Sequence, residues 1–419
     1  MNAPANAGPR DAGPVHVVVG GGQAGAAAVT AMRAAGFTGR IILVGAEPHL
    51  PYERPPLSKE VLVKPESARL VLHPESFYAE KAVECRFGEA ACHLDPEERR
   101  LELVSGDAVH FDKLLLATGA RARAYPLLDA LGPAAHTLRT IDDATALRGH
   151  IWPGRHLLVV GGGIIGLEVA ASAATMGARV TVIERGGRLM ARGTPAPMVD
   201  MLRALHLTHG VVFELGAELT DAAQGPTGEV TLKAADGRVF TGDVVVYGIG
   251  VELNADLAIT AGLKVEDGIL VDEYGRTSHP DIFAAGDVAR QWNPARGAHL
   301  RFETWDNAQN QGTGVGRAMV TGEPCGFEVP WYWTDQYGHN FQVAGTHEAD
   351  EWLPRGDPAA LKCTLLGLRD AVVVGAITVN NGREMRPARA MIANGFKITD
   401  RDGLADPKAD LRKLAEGRR

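Results

Sequence analysis

Hydrophobic and polar positions follow the same order twice along this chain. The segment HVVVGGGQAGAAAVTAMRAAG begins at His16, and HLLVVGGGIIGLEVAASAATMG begins at His156. Each is a short β-branched apolar run, a glycine-rich turn and an alanine-rich stretch at helical spacing, ending at Gly36 or Gly177. Each continues into a second apolar run, RIILVG from Arg40 and RVTVIE from Arg179. This order predicts strand–turn–helix–strand twice, the pattern of parallel βαβ units. Behind each unit lies a predicted hairpin that leads into an apolar strand. The first is RRLELVSGDAVHFDKLLLATG, with its turn at Ser105–Gly106–Asp107, and the second is EVTLKAADGRVFTGDVVVYGIG. From about Pro330 the pattern changes. Aromatics cluster (Trp331, Tyr332, Trp333, Tyr337, Phe341), strand-like runs FQVAG and AVVVGAITV follow, and PARAMIANG closes as a helix. This predicts a small α+β domain, with a charged, partly helical tail from about Asp406.

The fold class expected is therefore α/β: two Rossmann-like dinucleotide-binding domains plus a small C-terminal α+β domain. The expected boundaries are a disordered lead-in at 1–14, a discontinuous first domain at 15–120 and 254–328, a second at 121–253, and a C-terminal domain at 329–419. At 419 residues the chain is too long for one ordinary core, which agrees with several domains. A net charge of −8 argues against a nucleic-acid partner. No apolar run reaches membrane-spanning length and the N-terminus has no signal-peptide core, so a cytoplasmic protein is expected.

The chemistry sits at the turns. Gly20, Gly22 and Gly25 form GxGxxG directly after a strand and at a helix start. Such glycines allow a tight turn, backbone approach to a pyrophosphate and close helix packing, while the helix N-terminus favours an anion. Glu47, 22 residues past Gly25, ends the next strand, where a carboxylate can accept hydrogen bonds from ribose hydroxyls. Gly161, Gly163 and Gly166 repeat the fingerprint, with Glu184 18 residues on. Glu184 favours an unphosphorylated ribose and hence NADH. Neighbouring Arg185, Arg188 and Arg192 can pair with a phosphate and leave some NADPH use open. Glu168, two residues after Gly166, is either an exposed first-turn position or a contact to the nicotinamide carboxamide. Asp287, in TSHPDIFAAGDVA, reads as a ligand to a ribityl chain or pyrophosphate, as a helix cap, or as both. Cys85, Cys92, Cys325 and Cys363 form no CxxC or CxxxxC pair, which argues against a metal or dithiol centre. Cys85 and Cys92 could approach each other, but the favoured reading is small buried apolar side chains.

Together the two glycine turns, LLLATGA, VVVYGIG and DIFAAGDVA resemble the two-dinucleotide flavoprotein reductases of glutathione reductase-like fold. PYERPPLSK at Pro51–Lys59, RFETWDNAQNQG at Arg301–Gly312 and PWYWTDQYGHNFQVAG at Pro330–Gly345 resemble, more narrowly, the FAD-dependent NADH:ferredoxin reductases of bacterial aromatic-ring dioxygenases and of putidaredoxin-type systems. VNNGREMRPARAMI leans towards the dioxygenase group. ERGGRLM and RQWNPARGAH depart from the family pattern.

The resemblance implies FAD on Gly20, Gly22, Ala24, Gly25 and Glu47, with Arg54, Lys59, Thr118, Gly119 and Arg139. It adds Asp287, Glu303, Thr304, Trp305 and Trp333. It implies NADH on Gly161, Gly163, Ile164, Ile165, Gly166, Glu168, Glu184, Arg192 and Gly250. Lys59 is expected near flavin N5, paired with Glu168, and Trp305 and Trp333 beside the isoalloxazine. No acid–base residue is expected, because the cofactor carries the redox chemistry. The stretch HLPYERPPLSKEVL holds no cysteine where disulfide-reducing relatives carry a pair. Electrons must therefore leave to an external acceptor. The resemblance implies a transiently bound [2Fe-2S] ferredoxin, of Rieske type in the group that feeds aromatic-ring oxygenases. Arg290, Arg296 and Arg301 are candidates for its basic docking surface. The chain would act as a monomer or homodimer. An NADH oxidase, a rubredoxin reductase and an apoptosis-inducing-factor-like flavoprotein are the other readings of this pattern.

Overall fold

The computed structural model describes residues 13–294 and 296–416. The expected lead-in therefore lies, apart from Gly13 and Pro14, outside the described residues. The chain divides into two compact units. One comprises residues up to 53, 70–121 and 253–328, and the other 54–69, 122–252 and 329 onwards.

The first unit is built on a five-stranded parallel sheet in the order Ile282–Ala284, Lys113–Leu116, Val15–Val19, Arg40–Gly45, Val83–Phe87. Its inner strands are largely apolar and buried because both faces are covered. The helix Gln23–Ala34 follows the first strand, and the helix Trp305–Thr321 packs along it. That second helix is glycine-rich for a steric reason. A Cβ on Gly312 would sit 2.4 Å from the carbonyl oxygen of Ala24, and one on Gly316 2.5 Å from that of Ala28. The helices approach backbone to backbone. The expected hairpin is present as Arg100–Leu103 and Ala108–His110, joined by Ala91–Asp95 into a three-stranded antiparallel sheet.

The second unit repeats the design with Val212–Leu215, Arg179–Glu184, His156–Val160, Val244–Tyr247 and Ala135–His136, all parallel. The helices Ile164–Thr175 and Ala196–Thr208 belong to it. The C-terminal region forms a five-stranded antiparallel sheet ordered Trp331–Gln336, His339–Gly345, Val372–Val379, Lys362–Arg369, Glu351–Asp357, with the helix Met385–Ala393. One face of this sheet (Phe341, Val343, Cys363, Leu365, Ile377, Val379) shares a core with Leu167, Val199 and Leu202. The other face packs on Met385, Ala388 and Met391. Each fully buried aliphatic or aromatic side chain contributes roughly 1.5–3 kcal/mol, so these shared faces make the second nucleotide fold and the C-terminal sheet one compact unit. Leu62 joins the same core, which explains why residues 54–69 cluster here rather than with the strands that flank them in sequence. Arg355, 1% exposed, pairs with Glu384 at 3.0 Å and donates to the carbonyls of Leu404, Asp406 and Ala409, tying down the tail.

Two buried histidines set an acid limit on stability. Burial pushes His16, which stacks on Phe37, down to about 4, and it pushes His206 down to about 4 as well. Each folds neutral, whereas an unfolded chain protonates histidine below about pH 6.5. The stability they hold is present above that pH and is lost as the pH falls towards 4. Each should remove on the order of 2–3 kcal/mol across that window. The urea unfolding midpoint should drop steeply between pH 6.5 and 4.5, and His16→Gln should flatten that drop.

Candidate nucleotide-binding sites

In the first unit the glycine turn is a backbone cradle. Gly20, at φ +125°, crosses so close to the neighbouring strand end that a Cβ would lie 2.1 Å from the Ala117 carbonyl oxygen. A Cβ on Gly25 would lie 2.0 Å from the carbonyl oxygen of Gly20. Gly22, which precedes the helix Gln23–Ala34, faces open space, and no side chain caps that helix. Two glycines close the turn and the third leaves the helix N-terminus clear, which fits a pyrophosphate. Glu47 accepts a hydrogen bond from the Tyr52 hydroxyl at 2.5 Å. Thr118 donates to the Asn254 carbonyl at 2.6 Å, and Asn254 returns bonds to the carbonyls of Thr118 and Gly119. Gly119 turns at φ +63°. Thr304 caps the helix Trp305–Thr321 by accepting from the Asn307 amide at 3.1 Å. Glu303 is paired with Arg301.

Asp287 does not cap a helix. It follows the strand Ile282–Ala284 and leads into another strand, Ala289–Asn293. The turn there is fixed by Gly286, at φ +80°, whose amide donates to Gln311 at 2.8 Å. Arg301 is bound to Asp267 and Glu303, and Arg290 lies 3.6 Å from Glu266. These two candidate docking cations are thus locally neutralised.

The second unit repeats the cradle. A Cβ on Gly161 would stand 2.4 Å from the Gly248 carbonyl oxygen, and one on Gly166 2.2 Å from that of Gly161. Gly163 faces open space before the helix Ile164–Thr175, which again has no side-chain cap. Ile164 is partly buried, and Ile165 is exposed on the first turn. The carboxylate of Glu184 accepts from the amides of Gly162 and Gly186, each at 2.6 Å. It is therefore locked at the strand end beside the turn. Gly186 belongs to ERGGRLM, so that departure from the family pattern supplies a donor to Glu184. Arg192 lies beside Gly250, which turns at φ +117°. Arg188 donates to the Thr194 carbonyl at 2.7 Å.

Glu168 is not an exposed helix position. It is 3% exposed, and Lys59 Nζ stands 3.0 Å from its Oε1. Thr334 donates to Oε1 at 2.6 Å, and the Ser58 hydroxyl donates to Oε2. Lys59 also donates to the Pro55 carbonyl at 2.8 Å. A buried pair of this kind persists only where further hydrogen bonds satisfy it. Ser58 and Thr334 supply them, and the sequence reading did not single out either one. The only signal for them is position, Ser58 next to Lys59 in RPPLSK and Thr334 inside PWYWTDQYG. Arg54 donates to the Arg139 carbonyl, and Trp333 stacks on Trp331 with centroids 5.2 Å apart. Arg54, Lys59, Arg139 and Trp333 belong to the second unit.

All four cysteines are free thiols. Cys85 is half-buried and Cys92 is exposed on the strand Ala91–Asp95, so neither is a core side chain. Burial pushes Cys85 and Cys363 up to about 11 and Cys325 up to about 12, far from thiolate chemistry at neutral pH. Among the described residues no helix is long and apolar enough to cross a membrane, and no cluster of His, Cys, Asp and Glu could hold a metal.

Residues 14–312 match the pyridine nucleotide-disulphide oxidoreductase family, and residues 331–415 match the reductase C-terminal family. The chain is 45% identical over 382 residues to the 3-phenylpropionate/cinnamic acid dioxygenase ferredoxin–NAD(+) reductase component of Photorhabdus laumondii subsp. laumondii. That match covers 91% of this chain and 97% of the relative. Its structure resembles that in the covalent putidaredoxin reductase–putidaredoxin complex, with a TM-score of 0.90, 30% identity, and 97% and 99% of the two chains covered. It resembles equally the ferredoxin reductase for the CYP199A2 system from Rhodopseudomonas palustris, with a TM-score of 0.90, 33% identity, and 96% and 100% covered. Two glycine cradles of one design, a shared C-terminal sheet and these likenesses agree: the chain belongs to the pyridine nucleotide-disulphide oxidoreductase family, on its ferredoxin reductase branch.

Proposed function

We propose that this chain oxidises NADH and passes the electrons, through FAD, to a [2Fe-2S] ferredoxin of Rieske type that feeds an aromatic-ring oxygenase. The observation that carries this reading is the pair of backbone cradles, each closed by glycines that admit no Cβ, with Glu184 at the end of the strand after the second and Glu47 just past the strand after the first. The names of the relatives support the acceptor, a ferredoxin in each case. Bound FAD supplies the redox chemistry, taking two electrons together and releasing them one at a time.

The side chains bind, orient and hold charge. Gly20, Gly22 and Gly25 hold the flavin pyrophosphate, Glu47 its ribose, and Asp287 the chain between. The reading assigns Thr118, Gly119, Glu303, Thr304 and Trp305 to the same cofactor, with Arg54, Arg139 and Trp333 from the second unit. Lys59, fixed by Glu168, keeps a positive charge for the electron-rich reduced ring, and Trp305 and Trp333 border the electron exit. Gly161, Gly163 and Gly166 hold the NADH pyrophosphate, with Ile164, Ile165, Arg192 and Gly250 lining its path. Glu168 orients the nicotinamide end. Because NADH is the donor, we place the reaction in the cytoplasm.

Nucleotide choice rests on Glu184. Its carboxylate is already held by two amides, so it can accept from ribose hydroxyls without rearranging, and it repels a 2′-phosphate. Anaerobic reduction of the yellow protein should run at least about 10²-fold faster with NADH than with NADPH at equal concentration. Glu184→Ser should close most of that gap. Equal rates in the wild-type chain would overturn the role given to Glu184.

A further inference from the structure

A file of buried polar side chains runs to Glu168 from a hairpin turn, entirely within the second unit. Tyr337 OH lies 2.9 Å from His206 Nδ1, and His206 Nε2 lies 2.7 Å from Gln336 Oε1. Gln336 Nε2 donates to Thr334 Oγ1 at 3.0 Å, and Thr334 Oγ1 donates to Glu168 Oε1 at 2.6 Å. His206 and Thr334 are 0% exposed, Gln336 2% and Glu168 3%. Every donor points one way. The carboxylate can only accept, so Thr334 must donate to it. Gln336 then gives its amide hydrogen to Thr334 and offers its carbonyl to His206. The ring must carry its proton on Nε2, which leaves Nδ1 to accept from Tyr337. The neutral state of His206 agrees with this.

The far end is built at a conformational cost. Tyr337 and Gly338 form the two-residue turn between the paired Gln336 and His339, at φ +52° and +79°. Such turns favour asparagine and glycine, because both positions lie in the left-handed region. A tyrosine held there points to a role for its side chain. Its ring stacks on His209 at 3.7 Å, and its hydroxyl reaches His206.

We propose that Thr334, Gln336, His206 and Tyr337 are positioning residues for the Lys59–Glu168 pair: a one-way file of donors that fixes the Glu168 carboxylate and ties it to the Tyr337 turn. The aligned donors all point towards the Glu168 carboxylate, so each bond in the file polarises the next. The file needs no proton transfer, because the amide of Gln336 interrupts any relay. Its link to turnover rests on the function proposed above for Glu168, whereas its geometry does not. Among the described residues, Lys59 is the charged group in contact with Glu168, and Ser58 supplies the other hydroxyl. His209, Tyr337 and Phe213 surround the ring of His206.

Two measurements test this. Histidine-selective 15N NMR of the flavin-loaded protein should show His206 neutral with its proton on Nε2 across roughly pH 6 to 8. A proton on Nδ1, or on both nitrogens, would overturn the file whatever the enzyme does. Thr334→Val keeps the shape and removes the last donor, so the Glu168 carboxylate should lose its anchor to the file. NADH-driven flavin reduction should then fall about tenfold, while Thr334→Ser, which keeps the hydroxyl donor, should restore it. A Thr334→Val protein with the wild-type rate, or a Thr334→Ser protein as slow as Thr334→Val, would overturn the proposal. A wild-type protein that shows the tautomer but is not reduced by NADH would overturn the proposed function and leave the file standing.

Discussion

Gly25→Ala should give a chain without bound flavin, and Gly166→Ala a yellow protein that NADH reduces at least about 10²-fold more slowly. The new methyl group at residue 25 would meet the Gly20 carbonyl oxygen at 2.0 Å, and that at residue 166 the Gly161 oxygen at 2.2 Å. Neither neighbour is a flexible side chain that can swing aside. Each oxygen belongs to the turn itself, so relief means opening the cradle. Overpacking usually costs about 1–3 kcal/mol and more where backbone must move, and every 1.4 kcal/mol is a factor of ten in an equilibrium or a rate. The two substitutions are the same chemical change in two copies of one device, so their different phenotypes assign the two nucleotides. Absorbance at the flavin band reports the first, and anaerobic stopped-flow reduction the second. If Gly25→Ala retained flavin while Gly166→Ala lost it, the assignment of the two cradles would be reversed. Gly22→Ala is the control, because its Cβ would meet nothing within 4 Å in the protein. Its effect should appear only as weaker binding of the dinucleotide that lies against it.

Lys59→Met should have the second largest effect. It strands the Glu168 carboxylate at 3% exposure with two hydroxyl donors and no cation. Breaking a buried pair from one side costs about 3–5 kcal/mol, whereas replacing both partners by apolar groups of similar volume is often neutral. Lys59→Met alone should therefore lower the thermal midpoint clearly, and Lys59→Met with Glu168→Leu should recover most of the loss. Flavin reduction should stay impaired in both proteins. Recovery of stability without recovery of rate separates the pair's electrostatic role from its packing. Parallel recovery of both would show that the pair only holds the fold.

The parts of this architecture that were legible in the sequence are those encoded locally. The two glycine turns, their helices and the strands that lead to Glu47 and Glu184 lie within short stretches whose pattern has one physical reading. The expected pairing of Lys59 with Glu168 came from the family resemblance, and the ion pair is present at 3.0 Å. What surrounds that pair was not legible. Thr334 lies 166 residues from Glu168 in sequence, and Ser58 lies 110. No local periodicity reports contacts of that length. His206 sits on an amphipathic helix, where a lone histidine gives no hint that its ring is fully buried. The helix Trp305–Thr321 was hidden by its glycines, which lower helix propensity but serve close packing on Ala24 and Ala28. The strand Glu351–Asp357 was hidden by Pro354, a residue tolerated there because this strand is the edge of its sheet. The Asp287 turn misled because a glycine–aspartate pair marks a turn but does not say whether a helix or a strand follows.

The central claim is that electrons leave this chain one at a time to a ferredoxin, and steady-state cytochrome c reduction by the flavin-loaded protein tests it most directly. The assay uses NADH with and without a Rieske-type [2Fe-2S] ferredoxin. The account predicts slow turnover with NADH alone, and a rise of at least about 10²-fold that saturates with ferredoxin concentration. Rapid consumption of NADH with oxygen that the ferredoxin leaves unchanged would contradict it and make the chain an oxidase.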